Sequence, residues 1–400
     1  MQTVSTSRGS VLTINGGSSS IKFAIFDRET GEPRRRMSGQ IDRIGLPDAV
    51  LRTRRPPAGE QSQPIAAADP ASAAHALSDW LQKQSDVGTL GAVVHRIVHG
   101  GPKLFEPQKV TSQVLHELHE VAAIDPVHLP GEIALIEVFS ERYPGLPQIV
   151  CFDTAFHRDL PNVARILPIP RRYEQAGLRR YGFHGLSYEY LLKQLAREAG
   201  DAAARGRVIL AHLGSGASVA AVKDGKSIDT TMSFTPTAGL VMGTRCGDLD
   251  PGVLVYLMRN ENKSADEIDD LVNRQSGLKG ISQTSSDLRD LMAVRGSDAR
   301  AADAIDIFCY QARKHIGAMS AALGGLDTLV FSGGIGEHQA EIREQICNAL
   351  KFLGIELDST ANAANASVIS KHGSAVGVRV IATDEEVTLA IAAFELLDRA

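Results

Sequence analysis

Residues 10–26 read SVLTINGGSSSIKFAIF, and residues 207–225 read RVILAHLGSGASVAAVKDG. In each, a run of aliphatic and β-branched residues meets a cluster of glycine and serine, then resumes as a second such run. Small residues there favour a tight reversal, so each segment reads as a β-hairpin. The first hairpin is followed by the turn DRETG (27–31), the second by Asp224-Gly225. Strand, turn, strand, turn thus occurs twice about 200 positions apart, as in a chain built from two copies of one architecture. Two hairpins alone leave duplication and coincidence both open.

Outward from these hairpins, buried parallel strands are predicted at GAVVHRIV (91–98), QIVCFD (148–153) and LDTLVFS (326–332). Helical patterns alternate with them at 186–199, 299–323, 338–352 and 385–399, which makes an α/β protein with helix-covered sheets. Residues 52–74 show no clear period and read as a surface excursion within the first domain. A chain of 400 residues exceeds what one core serves, so two domains are expected. The division falls at 1–155 plus about 380–400 for the first and 156–379 for the second, with the strand at 378–382 and its helix returning to the first domain.

Composition excludes several classes. Hydrophobic residues are 43% and charged residues 22%, which is ordinary globular usage. Lys plus Arg number 42 against 47 Asp plus Glu, and a net charge of -5 disfavours nucleic acid and anionic membranes as partners. No run approaches the roughly 18 apolar residues of a membrane span. The polar start, MQTVSTSRGS, lacks the apolar core of a secretory leader. The four cysteines, Cys151, Cys246, Cys309 and Cys347, form no CxxC pair, so a reducing cytoplasm is the expected location.

No P-loop, complete GxGxxG, GxSxG or HExxH motif occurs. What remains is three glycine-rich turns after strands: Asn15–Ser20, His212–Gly216 and Gly333–Glu337. Without a Cβ, consecutive N–H groups of such turns can approach a phosphate, although each turn alone is equally a bare reversal. Arg96, Asp153 and Arg245 stand in or after apolar segments. An ionised group there needs a partner, so they pair in the core or line a cleft at the carboxyl ends of strands. Two arginines, an aspartate and glycine loops match the needs of phosphoryl transfer, and the residues point to a phosphate-handling α/β enzyme.

VLTINGGSSSIK (11–22), HRIVHGG (95–101), FDTAFH (152–157), YGFHG (181–185), MGTR (242–245) and GIGE (334–337) together resemble the acetate kinase family, in that family's order. The resemblance implies two duplicated ribonuclease H-like domains around a nucleotide cleft, the fold of the actin-like ATPase superfamily. It also implies a homodimer acting on acetate and ATP/ADP with Mg²⁺, for which Mn²⁺ could substitute. By matched position, Asn15 and Glu385 are the magnesium-associated residues and Lys22 reaches the nucleotide phosphates. Arg96 and Arg245 would hold the acyl carboxylate and the moving phosphoryl group, His184 would donate to that group, and Asp153 is the family's catalytic aspartate. The nucleotide-binding stretches are His212, Leu213, Gly214, Ser215 and Gly216, then Asp287, Leu288 and Arg289, then Gly334, Ile335, Gly336, Glu337 and His338. Val98, Val127, Phe183 and Pro236 match the acyl methyl pocket. Propionate kinase is the neighbouring alternative, and a nucleotide-switch ATPase of the same fold is the alternative from another class.

The chain departs from the commonest pattern of that family at Ser215 and His338 in the nucleotide loops. It departs also at Leu186-Ser187-Tyr188 after His184, at Val127-His128-Leu129-Pro130, at Thr237-Ala238, and at Cys246. None of these removes a charged catalytic residue. Arg34-Arg35-Arg36 and Arg179-Arg180 read as solvated faces, and Cys246 as an inert thiol.

Overall fold

The computed structural model describes residues 9–17, 20–30, 32–84, 87–126 and 128–399. They form two compact units, one drawn from Met1–Ala155 with Asp384–Ala400, the other from Phe156–Thr383.

The first unit is built on eight strands: β1 Ser10–Gly16, β2 Ser20–Asp27, β3 Arg34–Asp42, β4 Val50–Arg55, β5 Gly59–Pro64, β6 Leu90–Ile97, β7 Gln108–Lys109 and β8 Gln148–Phe152. Their order is β5-β4-β3-β2-β1-β6-β8-β7. β1 to β5 run as an antiparallel meander, while β6 and β8 lie parallel to β1 and to each other. Leu12, Ile14, Phe23, Ile25 and Leu51 of the sheet pack with Leu77 and Leu81 of helix Pro70–Gln82 and with Leu135 and Phe139 of helix Leu129–Arg142. Helix Glu385–Asp398 lies outside that cluster and packs across β1, β2, β6 and β8, burying Val387, Leu389, Ala390, Ala393 and Phe394.

The stretch 52–74 is not the loop its composition suggests: it contains part of β4, all of β5 and the start of helix Pro70–Gln82. β5, GEQSQP, is exposed throughout, so it is held by its backbone ladder to β4 and carries no apolar alternation. The helix begins at a capping box. Asp69 accepts from the Ser72 N–H at 2.7 Å, Ser72 Oγ accepts from the Asp69 N–H at 2.9 Å, and Pro70 takes the first turn.

The second unit holds β9 Val208–Leu213, β10 Ala217–Lys223, β11 Lys226–Thr230, β12 Thr328–Ser332 and β13 Gly377–Val380, in the order β11-β10-β9-β12-β13. Its antiparallel β9, β10 and β11 and parallel β12 and β13 repeat the arrangement β3-β2-β1-β6-β8 of the first sheet. The twin hairpins are thus the opening strands of two sheets with one topology. Tyr188, Leu191 and Leu195 of helix Gly185–Ala199 pack on Leu210, Ala220, Val222 and Val330. Helix Ala299–Leu323 is capped by Asp298, ends at Gly324 in the left-handed region (φ 71°), and packs against β10 and β11.

Two sequence expectations change here. β13 pairs with β12 in the second sheet, so the strand near 378–382 does not return to the first unit, and only helix Glu385–Asp398 does. The helix expected over 338–352 is divided into Gly333–His338, Ala340–Asn348 and a short 3-10 turn Lys351–Leu353, with the break at Gln339 (φ -107°, ψ 83°). Among the described residues no helix is long and apolar enough to cross a membrane.

Candidate active site

In the first unit the strand register assembles a row of polar residues. Lys22 stands opposite Asn15 across the β1–β2 hairpin, Asn15 beside Arg96 of β6, and Arg96 beside Cys151 of β8, with Asp153 just past that strand. Neighbours in register project from one side of a sheet, so the hairpin and the parallel crossovers bring together residues more than a hundred positions apart. Helix Glu385–Asp398 meets this row at its first turn, where Asn15 Nδ2 donates to Glu385 Oε2 at 3.1 Å. Asp384 caps that helix by accepting from the Val387 N–H, and Arg35 holds Asp384 at 2.6 Å. Arg36 in turn bonds Asp27 and Ser10, so Arg35 and Arg36 are structural, contrary to the solvated face expected.

Arg96 is clamped from two sides. Its Nε donates to Asp153 Oδ2 at 3.1 Å, its Nη2 bonds the same oxygen, and its Nη1 donates to Glu132 Oε1 at 3.1 Å. The other oxygen of Glu132 accepts from the Val98 N–H at 2.8 Å. Glu132 lies on helix Leu129–Arg142 and is buried, as are Asp153 and Val98. Burial alone would lower the pKa of the Arg96 guanidinium, but Asp153, Glu132 and Glu385 around it raise it, so the charge is permanent. Burial raises the Glu132 pKa, while Arg96 and the Val98 N–H pull it down and favour the carboxylate. Burial, reinforced by Asp153, pushes Glu385 up to about 7.

Among the described residues no group of three or more His, Cys, Asp or Glu could by itself enclose a metal ion. Mg²⁺ does not require one, since it takes one or two carboxylates and fills its octahedron with water and phosphate oxygens. Asp153 Oδ1 is buried with no hydrogen-bond partner, a hard anionic oxygen of the kind that cation accepts. With Asn15 and Glu385 adjoining in the same row, the residues present fit a magnesium ion.

In the second unit, β9 and β12 run parallel with His212 beside Ser332, so the turns that follow them lie together. Gly214 closes the first turn by donating to the Gly216 carbonyl at 3.0 Å. Gly333 opens the second in the left-handed region (φ 75°), where a Cβ would collide with the Leu213 carbonyl at 2.6 Å. Gly334 is exposed, and a Cβ there would meet only open space. A Cβ at Gly216 would lie 3.3 Å from His184 Nε2 and 3.8 Å from Arg245 Nη1, so the histidine, the arginine and the first glycine turn converge. Arg245 Nη1 also donates to the Pro236 carbonyl at 3.1 Å. His184 sits at the start of helix Gly185–Ala199 with φ 59°, its ring stacked on His212 at 4.3 Å and its Nδ1 bonded to Ser218 Oγ at 2.8 Å.

Other expected residues take quieter places. Glu337 is turned onto its own fold, accepting from the N–H groups of Gly333 (2.9 Å) and Thr383 (3.2 Å), and His338 is exposed. Asp287 caps helix Leu288–Val294, Leu288 is buried, and the exposed Arg289 folds back onto Asp287. Ser215 is exposed, Ile335 half-buried and Gly336 buried. Phe183 and Pro236 are buried in the second unit. Val127 lies outside the described residues. Cys246 is a thiol whose pKa burial raises, which leaves it unreactive.

Four residues that sequence reasoning passed over belong to these arrangements. Glu132 supports Arg96, while Ser218 and Tyr188 support His184. Arg343 is fully buried, and its guanidinium holds the carbonyls of Gly336 (2.8 Å) and Glu337 (3.0 Å) together with Asn362 and Asn365. An acid or a serine inside an otherwise apolar stretch is the signal that could have flagged Glu132 and Ser218, since each needs a buried partner, whereas Arg343 stands in the polar stretch AEIREQICN and carries no such signal.

The chain matches the acetokinase family over residues 10–392 and belongs to it. It is 43% identical to an acetate kinase of Rhodopseudomonas palustris, across 97% of this chain and 98% of the relative. Among solved structures it is similar to the acetate kinase of Porphyromonas gingivalis, with a TM-score of 0.87 at 36% identity, covering 97% of this chain and 100% of that one. It is also similar to a propionate kinase of Francisella tularensis, with a TM-score of 0.90 at 33% identity, covering 96% of this chain and 98% of that one. The two-sheet fold is accordingly the actin-like one of acetate kinases.

Proposed function

We propose that this member of the acetokinase family reversibly transfers the γ-phosphoryl group of ATP to acetate, giving acetyl phosphate and ADP, with magnesium bound. The observation that carries the acceptor is Arg96: a permanently charged guanidinium fixed at the end of β6, two residues from the apolar Val98. A cation beside a small apolar surface suits a short carboxylic acid. The acid is ionised at neutral pH, so its oxygen attacks the γ-phosphorus as the bond to the β,γ-bridging oxygen breaks, and no base has to remove a proton.

Arg245 and His184 supply donors for the equatorial oxygens of the moving group, and the glycine turns after β9 and β12 admit the nucleotide phosphates, so the second unit carries most of the nucleotide site. Asn15, Asp153 and Glu385 would hold Mg²⁺, which neutralises charge on the phosphates when bound. Lys22, exposed in the same row, reaches those phosphates as a point charge. Val98, Phe183 and Pro236 provide apolar surface for the methyl group. A switch ATPase has no use for a carboxylate clamp, which Arg96 provides. Propionate is the second reading, supported by the similarity to the Francisella enzyme.

The protein acts as a homodimer in the cytoplasm. Helix Pro251–Asn260 has no buried residue and exposes Val253, Val255, Tyr256 and Met258, an apolar surface that a second copy would cover. Sedimentation analysis giving a single protomer mass would refute the dimer. The reaction is tested by trapping acyl phosphate with hydroxylamine in the presence of MgATP and, separately, formate, acetate, propionate or butyrate. A maximum with acetate is expected, and a propionate maximum selects the second reading. No hydroxamate from any acid, with MgATP still bound, overturns the proposal.

A further inference from the structure

The side chain of His184 is tied to Ser218 and Tyr188 in one chain of hydroxyl groups. Its Nδ1 is 2.8 Å from Ser218 Oγ, and Ser218 Oγ is bonded to the Tyr188 hydroxyl. Tyr188 and Ser218 are both wholly buried, so water does not compete for these groups. Tyr188 lies one turn beyond His184 on helix Gly185–Ala199, and Ser218 lies on β10. Burial raises the Tyr188 pKa beyond its ordinary range, so the phenol keeps its proton.

The direction of this chain can be worked out from donor counts. A buried phenol O–H needs an acceptor for its proton. Among the described residues the only acceptor within its reach is Ser218 Oγ. A serine hydroxyl has one proton, and Ser218 Oγ, receiving from Tyr188, has His184 Nδ1 as the remaining place to send it. His184 Nδ1 is therefore an acceptor, and the ring proton resides on Nε2, the nitrogen that faces Gly216.

We propose that Tyr188, acting through Ser218, is a positioning residue that fixes His184 as the neutral tautomer protonated on Nε2. The order is Tyr188 O–H to Ser218 Oγ, Ser218 O–H to His184 Nδ1, and His184 Nε2–H outward. Protonating Nδ1 would reverse the Ser218 hydroxyl and leave the buried Tyr188 proton without an acceptor, which costs the full penalty of an unsatisfied group. Other groups facing the ring act in the same sense. Arg245 brings a positive charge to the same side of Gly216, the positive end of helix Gly185–Ala199 lies at His184, and the stacked His212 accepts or donates at its own Nδ1 to Ser187 Oγ (2.8 Å). His184 is thus held as a donor of one directed hydrogen bond over the pH range of activity, rather than as a cation. The catalytic consequence rests on the proposed role of His184 toward the phosphoryl group, whereas the tautomer itself does not.

The experiment is nitrogen NMR of the full-length protein labelled at its histidine rings, with the His184 signals assigned from a His184→Asn spectrum. In the wild type, Nε2 is expected to be protonated and Nδ1 unprotonated at neutral pH, persisting below the ordinary histidine pKa of about 6.5. In Tyr188→Phe, Ser218 is free to accept, so the Nδ1–H form or the cation gains population. The His184 titration midpoint then rises by about one pH unit, a tenfold gain in proton affinity worth about 1.4 kcal/mol. The acid limb of kcat/KM moves with it while the KM for ATP stays within twofold. Ser218→Ala removes the acceptor chain altogether and should give the same direction of titration shift, which covers the case of a misfolded Tyr188→Phe. A proton on Nδ1 in the wild type, or an unchanged titration in a folded Tyr188→Phe or Ser218→Ala, overturns the proposal. Absence of kinase activity with the predicted tautomer intact would instead count against the proposed function alone.

Discussion

Replacing Glu132 tests how the Arg96 clamp is built. Its two oxygens serve different donors, Arg96 Nη1 at 3.1 Å and the Val98 N–H at 2.8 Å, and both donors are enclosed. Glu132→Ala leaves both unsatisfied and removes one partner of a buried ion pair, a change that costs about 3–5 kcal/mol. Glu132→Gln has one carbonyl oxygen and one amide nitrogen, so it can satisfy Arg96 or Val98 but presents a donor to the other. One unsatisfied group costs about 1–3 kcal/mol, so the glutamine variant should fall between wild type and alanine. Urea unfolding followed by circular dichroism measures both differences. Arg96 loses one of its anchors in Glu132→Ala, so in that variant the KM for the acid should rise more than the KM for ATP. If Glu132→Ala costs less than about 1 kcal/mol, or if the glutamine and alanine variants are equal, the two-donor account of Glu132 is wrong.

Gly216→Ala places a methyl group 3.3 Å from His184 Nε2 and should leave folding intact while lowering kcat/KM for ATP by roughly tenfold or more; wild-type kinetics would show that nothing enters there. Arg343→Met keeps bulk but strips the carbonyls of Gly336 and Glu337 of their donor, and calorimetry should find a loss of about 1–3 kcal/mol for each group left unsatisfied, with a raised KM for ATP. Burial lowers the pKa of His157 to about 4 from an ordinary 6.5. Between those values the unfolded chain binds the extra proton, so this histidine's contribution is present above pH 6.5 and is lost as pH falls toward 4. The stability difference between wild type and His157→Gln should therefore shrink across that window, and a difference constant with pH would contradict a buried neutral ring.

The twin hairpins were readable because glycine and serine clusters stand between aliphatic runs, and those runs became the opening strands of both sheets. β4 and β5 were not, because an exposed edge such as GEQSQP carries no hydrophobic period, although the Asp69–Ser72 capping box beside it was in plain view. Arg96, Asp153 and Arg245 stood out as charges in or beside apolar segments, which flags a group that must find a partner. The partners themselves were hidden. Glu132 sits in LPGEIALIEVF, Ser218 in ASVAAV and Tyr188 in a helix whose aromatic face looks like ordinary core. Only the parallel crossovers and the helix–strand packing put them against Arg96 and His184, and no local spacing encodes those distances.

The return of helix Glu385–Asp398 to the first sheet bears on how the protein is made. Synthesis proceeds from the amino end, and domains generally fold as they emerge. Residues 10–155 leave the ribosome with the strands of the first sheet complete but without the helix that covers β1, β2, β6 and β8. The whole of Phe156–Thr383, one uninterrupted stretch, is translated and free to fold in the interval. Asn15 meets Glu385 only after that, so the carboxylate row forms last. A nascent chain stalled before residue 384 therefore holds the whole of the second unit but lacks the helix and the Glu385 carboxylate that complete the first.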